Sequence, residues 1–378
     1  MGWGLYIHIP FCRQKCFYCD FPSFAGKEAW MERYISALCR EIAEKRELSA
    51  DAGEAATVYA GGGTPTALPR ELLVRVLETV REHIPVRENA EITIEANPGT
   101  VDAEYLRVLR KAGANRISFG VQSFSDVLLR RIGRIHSPEE AQDAVRLARS
   151  AGFRNISLDL MYGLPGQTMK DLEESIAAAC SLEPQHISIY GLQVEEGTVF
   201  ARQQRDGKLV LPPEELAEEM YDYMTDSLPA HGYRRYEISN FAREGFESRH
   251  NLGYWQDIPY LGCGAAAHSY WENRRWNHPQ DPTEYMTAVE RGEPLIRNEE
   301  SLSRETAMEE FCFLALRTVK GIDKQSFQNK FQCTLESVYS SVIRRMKEQK
   351  LLEETENQIR LTQSGMKFGN VVFREFIL

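Results

Sequence analysis

The chain has 378 residues, of which 43% are hydrophobic, and a formal net charge of −10 at pH 7. This length suits a large barrel with an appended module, and the acidic balance argues against a general nucleic-acid binder, which would need a basic face. Because there is no apolar run of about 18 residues and no signal-peptide pattern at the start, we predict a cytoplasmic protein without a membrane span, whose cysteines stay reduced.

Strand-like and helix-like segments alternate along the first half of the chain. Strands are predicted at residues 5–9, 57–60, 91–95, 116–120, 156–161 and 186–190. Helices are predicted at residues 27–45, 69–83, 102–111, 138–150 and 169–181. β-α repeats with near-continuous apolar strands indicate a parallel sheet covered by helices. A closed barrel of this type needs more repeats than these, so the prediction is an α/β fold built on a partial (β/α)6 barrel.

The second half of the chain has a different pattern. An amphipathic helix at 213–228 leads into an aromatic- and histidine-rich stretch; then come three helices (304–318, 323–330, 335–348), a hairpin (351–354, 358–361) and a last helix (362–376). This order predicts a winged-helix-like module that walls the barrel mouth rather than binding DNA, since its few basic residues also suit a solvated helix face. We predict three parts: a core at 1–240, a connecting region at 241–300 and the module at 301–378.

Three cysteines, Cys12, Cys16 and Cys19, follow the first predicted strand in a C-x₃-C-x₂-C run. Three thiolates this close suit a [4Fe–4S] cluster whose fourth iron stays open to a small molecule. A zinc site would need a fourth ligand, and no second cysteine pair follows. A disulfide would leave an odd cysteine and need an oxidising compartment. The cluster is therefore favoured over zinc, and zinc over a disulfide.

Polar and glycine-rich segments follow the other predicted strands. The set consists of residues 61–66 after strand two, Glu95 at the end of strand three, Gln122 after strand four, Asp159 near the end of strand five and Gln193 after strand six. In parallel barrels the binding residues lie at the carboxyl ends of the strands, so we expect one shared rim. The glycine run is expected to let backbone approach a ligand and to offer free N–H groups. Taken singly, each of these residues also suits an ordinary turn or a solvated charge.

Together these motifs resemble the radical S-adenosylmethionine (SAM) family, whose signature is the C-x₃-C-x₂-C run. Within that family, residues 6–12, 61–66, 95–98, 120–124, 159–166 and 250–255 resemble the group of oxygen-independent coproporphyrinogen III oxidase and its haem-chaperone relatives. The resemblance spans most of the chain in a consistent order. It implies a partial barrel, a [4Fe–4S] cluster on the three cysteines and bound SAM.

The resemblance also implies which residues contact SAM. The family's glycine motif meets the amino group of SAM, and the matching positions here are Gly62, Gly63 and Thr64. The other implied or flanking positions are Tyr6, Tyr18, Glu95, Gln122, Arg134 and Asp159, and Gln193 is added for its place on the same rim. Arg134 also suits a plain surface arginine, and the two tyrosines also suit a packing role.

His250 heads the string His-Asn-Leu-Gly-Tyr-Trp at residues 250–255, which has aromatic members and no charge. Neutral imidazole is a common axial ligand of haem iron, and flat macrocycles favour aromatic walls. The string resembles the haem-associated motif of the chaperone relatives, so His250 is the predicted haem ligand. His268, in the same region, is the second candidate, and an ordinary polar histidine is the alternative for both.

Two departures separate this chain from the oxidase. The oxidase carries a further cysteine two residues after the third, where this chain has Phe21, and it has a long extension before its first strand. Both departures favour a haem chaperone, which holds haem and delivers it to haem-requiring proteins. The alternative is an oxidase that decarboxylates porphyrinogen propionates by SAM-dependent radical chemistry, so the sequence leaves open whether the protein is an enzyme.

Overall fold

The computed structural model describes residues 2–49 and 52–377. Its strands are β1 (Trp3–Ile9), β2 (Phe11–Cys12), β3 (Phe24–Ala25), β4 (Ala55–Gly62), β5 (Val86–Ala96), β6 (Arg116–Gln122), β7 (Asn155–Tyr162), β8 (His186–Gly191), β9 (Arg234–Arg235), β10 (Asn240–Ala242), β11 (Tyr260–Cys263), β12 (His268–Trp271), β13 (Arg274–Asn277), β14 (Arg297–Ser301), β15 (Ile322–Asp323), β16 (Leu352–Glu354) and β17 (Gln358–Leu361). Its helices are α1 (Met31–Ser49), α2 (Arg70–His83), α3 (Ala103–Lys111), α4 (Asp126–Arg131), α5 (Pro138–Ser150), α6 (Met169–Ser181), α7 (Val199–Arg205), α8 (Glu214–Ala230), α9 (Arg249–Trp255), α10 (Pro282–Arg291), α11 (Arg304–Leu316), α12 (Lys324–Phe331), α13 (Leu335–Glu348), α14 (Gln363–Lys367) and α15 (Gly369–Glu375).

One mixed sheet of twelve strands dominates the fold, in the order β14-β13-β12-β11-β1-β4-β5-β6-β7-β8-β10-β9. The strands from β11 to β8 in this order are parallel. They include all six predicted strands, so the predicted α/β fold with a partial barrel is confirmed. A further parallel strand, β11, lies beside β1 and comes from the region predicted to be a connector. The three-part division of the chain stays a prediction.

The parallel strands alternate between an apolar and a polar face, and the prediction of near-continuous apolar strands is wrong. In β6, Ile117 and Phe119 are fully buried in the core shared with the helices. Ser118, between them, points the other way and donates its hydroxyl to Asp159 of β7 at 3.3 Å. The lumen of this barrel is therefore lined by polar groups, whereas a closed barrel fills its lumen with branched apolar side chains. The prediction failed because the large apolar residues make each strand hydrophobic on average, which hides the small polar residues at every second position.

The bounds of the helices follow their capping residues. The hydroxyls of Ser137 and Thr168 accept hydrogen bonds from the backbone N–H groups of Glu140 and Asp171, whose carboxylates accept in return from the backbone N–H groups of the two caps. A cap of this kind contributes about 1 kcal/mol to helix stability. The helices that follow, α5 and α6, have the predicted bounds.

The C-terminal module has a hydrophobic core of its own. Helices α11 to α13 precede the hairpin β16–β17, and β15 completes a small sheet in the order β15-β17-β16, as expected for a winged-helix-like module. The predicted last helix is instead two helices, α14 and α15, which meet at Phe368.

The module contacts both ends of the large sheet. On one side, Thr318 forms a backbone bridge with Glu237, which lies between β9 and β10. On the other side, Arg275 of β13 donates to the Glu310 carboxylate of α11 at 2.5 Å. In the described residues no strand joins β9 to β14, and the module contacts the sheet near both of these edges. No helix in residues 2–49 and 52–377 has the length and apolarity that crossing a bilayer requires.

Candidate functional site

The three cysteines lie in and beside the loop that follows β1. Cys12, Cys16 and Cys19 are partly buried free thiols, and the Thr64 hydroxyl donates to the Cys12 Sγ at 3.5 Å. Burial raises the pKa of the Cys12 and Cys19 thiols, and the neighbouring Cys16 raises it further. Thiolates in such a place need a cationic partner, which a metal centre provides.

This donor set fits an iron–sulfur cluster better than a single ion. In the two described ranges, no three His, Cys, Asp or Glu side chains converge as ligands of one metal ion. The thiolates of a cube-shaped cluster bind different irons and therefore need not converge as zinc ligands do. Arg134 lies close by: burial lowers the pKa of its guanidinium, but Tyr18 and the three cysteines raise it more. Its positive charge offsets the negative charge of the thiolates.

The glycine segment at the end of β4 is held by hydrogen bonds to the end of β1 and to Glu95 of β5. The Gly63 N–H donates to the Ile9 carbonyl at 2.9 Å, and the Gly62 N–H donates to Glu95 Oε2 at 3.0 Å. A Cβ on Gly63 would lie 2.7 Å from the Ile9 carbonyl oxygen, so only glycine fits there. The expectation of free N–H groups is wrong for these two glycines, because both groups already have partners. An amino group donates hydrogen bonds, so it would be bound here by carbonyl oxygens and not by these N–H groups.

Glu95 lies at the carboxyl end of β5, facing the lumen. Its Oε1 accepts a hydrogen bond from the Tyr59 hydroxyl at 2.6 Å, and its Oε2 accepts from the Gly62 N–H. Burial raises the pKa of the Glu95 carboxyl to about 7, and the charge of nearby Asp159 adds to the shift. The carboxyl is therefore poised to become fully ionised when a cation binds.

Asp159 and Gln122 lie on the neighbouring strands of the same lumen. The Asp159 carboxylate accepts hydrogen bonds from the hydroxyls of Ser188 at 2.8 Å and Ser118 at 3.3 Å, while burial raises its pKa. Gln122 ends β6 with φ at 68°, a left-handed conformation that is uncommon for a residue other than glycine. Held strain of this kind is frequent at binding sites.

Asn97 connects the glycine segment to Arg134. Its amide group donates to the Thr64 hydroxyl at 2.9 Å, and its carbonyl oxygen accepts from the Arg134 guanidinium at 2.8 Å. Cys12, Thr64, Asn97 and Arg134 thus form one continuous polar chain. The sequence analysis predicted every member of this chain as a site residue except Asn97. Asn97 nevertheless lies in the segment 95–98 that carries the family resemblance.

The remaining predicted rim residues occupy different positions. Tyr6 lies deeper in the lumen, where its hydroxyl bonds to His8 Nδ1 at 3.0 Å. Tyr18 lies in the cysteine loop, and burial raises its pKa. Gln193 is exposed in the segment after β8. The structure therefore brings the cysteines, the glycine segment, Glu95, Gln122, Arg134 and Asp159 to one rim, with Tyr6 below it and Gln193 at its margin.

His250 lies at the opposite, amino-terminal end of the barrel. Its imidazole is buried, Nδ1 bonds to the Thr57 hydroxyl at 2.8 Å, and Nε2 bonds to the Tyr254 hydroxyl at 2.9 Å. The ring stacks on Tyr59 with centroids 5.0 Å apart and lines a cavity of about 270 Å³. Burial, helped by the charge of Arg116, lowers the pKa of His250 to about 3, so the imidazole stays neutral.

His268, the second candidate, is exposed at the start of β12. It pairs with Asn277 of β13, and its backbone lies next to Gly262 of β11. The two histidines are therefore in different surroundings, one buried and one exposed. Of the two, His250 lies among aromatic rings at a cavity, and the identity of the haem ligand stays a prediction.

Sequence reasoning missed two residues of the lumen. Tyr59 joins the two ends of the barrel, because its hydroxyl contacts Glu95 while its ring stacks on His250. Arg116 is fully buried, and its Nε has no hydrogen-bond partner in the described part of the chain. Burial lowers the pKa of Arg116, but Glu91 and other neighbours raise it more. Both residues occupy lumen-facing positions, which a search for polar residues at every second strand position would have found.

Comparison with known proteins defines the class. The profile of the Radical SAM superfamily matches residues 6–179, and that of the HemN C-terminal domain matches residues 302–368. The solved structure of coproporphyrinogen III oxidase (HemN) from Escherichia coli superposes with a TM-score of 0.88 at 23% identity, over 100% of this chain and 90% of that chain. That likeness shows the fold. The chain is therefore a radical SAM protein with a HemN-type C-terminal domain.

Curated relatives define the family more narrowly. The heme chaperone HemW of Bacillus subtilis (strain 168) is 41% identical over 98% of this chain and 98% of its own length. The heme chaperone HemW of Lactococcus lactis is 39% identical over 99% of this chain and 97% of its own. The heme chaperone HemW of Escherichia coli (strain K12) is 42% identical over 70% of this chain and 69% of its own. The chain belongs to the HemW family.

Proposed function

We propose that this protein is a haem chaperone, which binds haem and delivers it to haem-requiring proteins in the cytoplasm. The observation that carries the proposal is the setting of His250, a neutral imidazole among aromatic rings that lines a cavity far from the cysteines. Neutral imidazole is a common ligand of haem iron. Relatives that match this chain over nearly their full length bear the name of a haem chaperone, and Phe21 stands where the oxidase has a cysteine.

We further propose that Cys12, Cys16 and Cys19 hold a [4Fe–4S] cluster and that SAM binds on the rim beside them. Once bound, these groups supply one-electron chemistry. The chain itself supplies position and charge. The carbonyl groups of the glycine segment accept from an amino group, the Glu95 carboxylate faces a cation, and the Arg134 guanidinium offsets the thiolates.

Glu95→Ala should weaken SAM binding by about 1–3 kcal/mol, the usual cost of losing a hydrogen bond to a charged group. Because the pKa of Glu95 is about 7, lowering the pH from about 8 to about 6 protonates the carboxyl, and the affinity of the wild-type protein for SAM should fall with it. Calorimetry on the cluster-loaded protein measures both effects. Glu104→Ala, at an exposed ion pair on α3, is the matched control. An unchanged affinity in Glu95→Ala would show that Glu95 is only a rim charge.

The second candidate function is that of an oxygen-independent coproporphyrinogen III oxidase. One observation favours it: most of the residues predicted to contact SAM lie around an open polar lumen. Anaerobically reconstituted protein should be tested in parallel for haem binding and for turnover of coproporphyrinogen III with SAM and a reductant. We expect about one haem per chain and no protoporphyrinogen. Robust turnover without haem binding would reverse the choice.

A further inference from the structure

The cavity beside His250 lies between the starts of β1 and β4 and helix α9. His250, Tyr254, Tyr260 and Ile258 contribute to its wall, which is mostly apolar and aromatic. Gly4 keeps it open on the β1 side, since a Cβ there would lie 3.2 Å from the Cε1 atom of His250. The volume of about 270 Å³ is below the roughly 300–1,000 Å³ of pockets that enclose a drug-sized ligand. Only one edge of a large flat ligand would fit inside.

Both ring nitrogens of His250 are hydrogen-bonded, Nδ1 to the Thr57 hydroxyl and Nε2 to the Tyr254 hydroxyl, so a metal can bind Nε2 only in place of the Tyr254 contact. A neutral imidazole carries one N–H and one acceptor nitrogen. If the Tyr254 hydroxyl donates to Nε2, then Nδ1 carries the hydrogen and donates to Thr57, 2.8 Å away. A partner on the second nitrogen is what fixes the ring of a metal-binding histidine. Nε2 becomes free as soon as the Tyr254 hydroxyl turns away.

Two arginines, Arg87 and Arg249, lie on the wall of this cavity. The Arg249 guanidinium donates to the Asn89 carbonyl at 2.7 Å, so it lies close to β5, the strand that carries Arg87. Arg87 also lies against Gly2, where a Cβ would come within 2.9 Å of its Cζ. No carboxylate in residues 2–49 and 52–377 forms an ion pair with either guanidinium. The carboxylate of Glu91, further along β5, accepts from the backbone N–H groups of residues 249 and 250.

Building on the haem-chaperone function above, we propose that Arg87 and Arg249 bind the two propionate carboxylates of haem at the mouth of this cavity. The macrocycle then enters edge-on, with its iron beside His250 and part of its surface still outside the protein. Guanidinium groups pair with carboxylates in a bidentate manner, and two cations on the wall of one cavity, neither of them in an ion pair, gain from a dianionic ligand. A macrocycle that is held by one edge, with the rest of its surface exposed, also suits a protein that transfers its ligand to another protein.

The test is a titration of the full-length protein with two probes in the same detergent-containing buffer: ferric haem and ferric haem dimethyl ester. The ester keeps the ring and the iron but lacks the carboxylate charges. Arg87→Gln/Arg249→Gln should weaken haem binding at least tenfold and leave ester binding unchanged. The double variant Arg107→Gln/Arg146→Gln, at exposed ion pairs of α3 and α5, removes the same total charge and should bind both probes normally. Unchanged SAM affinity at the far end of the barrel verifies that each variant is folded.

Three results would overturn the inference. Wild-type affinity for haem in the Arg87/Arg249 variant would show that the arginines do not hold the propionates. An equal loss for haem and its ester would assign them a role in shaping the cavity instead. If the wild-type protein gives no saturable haem binding, both the haem-chaperone function and this inference are wrong. If haem binding depends on His250 but not on the two arginines, only this inference is wrong.

Discussion

Replacing Cys12, Cys16 or Cys19 with alanine should abolish the iron–sulfur cluster, the largest effect that we expect of any single substitution. Anaerobic reconstitution of the wild-type protein should give about four irons and four sulfides per chain, and an EPR signal on reduction that changes when SAM is added. In the proposed cluster each thiolate would bind a different iron, so the loss of one would leave a second iron without a protein ligand. Iron and sulfide analysis, together with EPR spectroscopy of each variant, measures the loss.

Cys180→Ala is the matched control for the cluster variants. Cys180 is a partly buried free thiol in α6, outside the cysteine loop, and its replacement should leave the iron content unchanged. A variant lacking all three loop cysteines that still held a full cluster would contradict the assignment. Stoichiometric zinc in place of iron in the wild-type protein would also contradict it.

Sequence reasoning found the architecture and the rim because both depend on local patterns. A β-α repeat can be recognised within about 30 residues, and the carboxyl ends of parallel strands must meet at one edge. Glu95 and Asp159 could therefore be placed on one rim although they are far apart in the chain. The caps at Ser137 and Thr168 belong to the same class of local signal, and the predicted bounds of α5 and α6 are correct.

The relations across the lumen could not be predicted in this way. Tyr59 contacts Glu95 at one end of the barrel and His250 at the other, which depends on the register and depth of three separate segments. The motif at residues 250–255 marked His250, but nothing local indicated that its ring packs at the amino-terminal end, opposite the cysteines. Arg87 carried no motif at all. Its place at the cavity depends on β5 and α9 forming the wall together, although the two segments are far apart in the sequence.

His250→Ala should shift the Soret band of bound haem and weaken binding, because it removes the axial nitrogen but leaves the apolar contacts. It also leaves the hydroxyls of Thr57 and Tyr254 without a partner, at a cost of about 1–3 kcal/mol for each buried group, so thermal unfolding must be measured alongside. Added imidazole should restore the wild-type band by filling the vacated space. Because burial lowers the pKa of His250 to about 3, the free imidazole stays neutral and available to iron at about pH 5, and the band should persist there.

Two further variants identify the ligating histidine. His268→Ala removes an exposed imidazole outside the cavity and should leave the Soret band unchanged. Tyr254→Phe removes the hydroxyl that competes with iron for Nε2 and keeps the aromatic wall, so haem should bind at least as tightly as in the wild-type protein. A band shift in His268→Ala together with a normal band in His250→Ala would move the haem site to the exposed histidine. Loss of haem binding in Tyr254→Phe would instead make the tyrosine oxygen the ligand, because only that variant removes the hydroxyl while His250 remains.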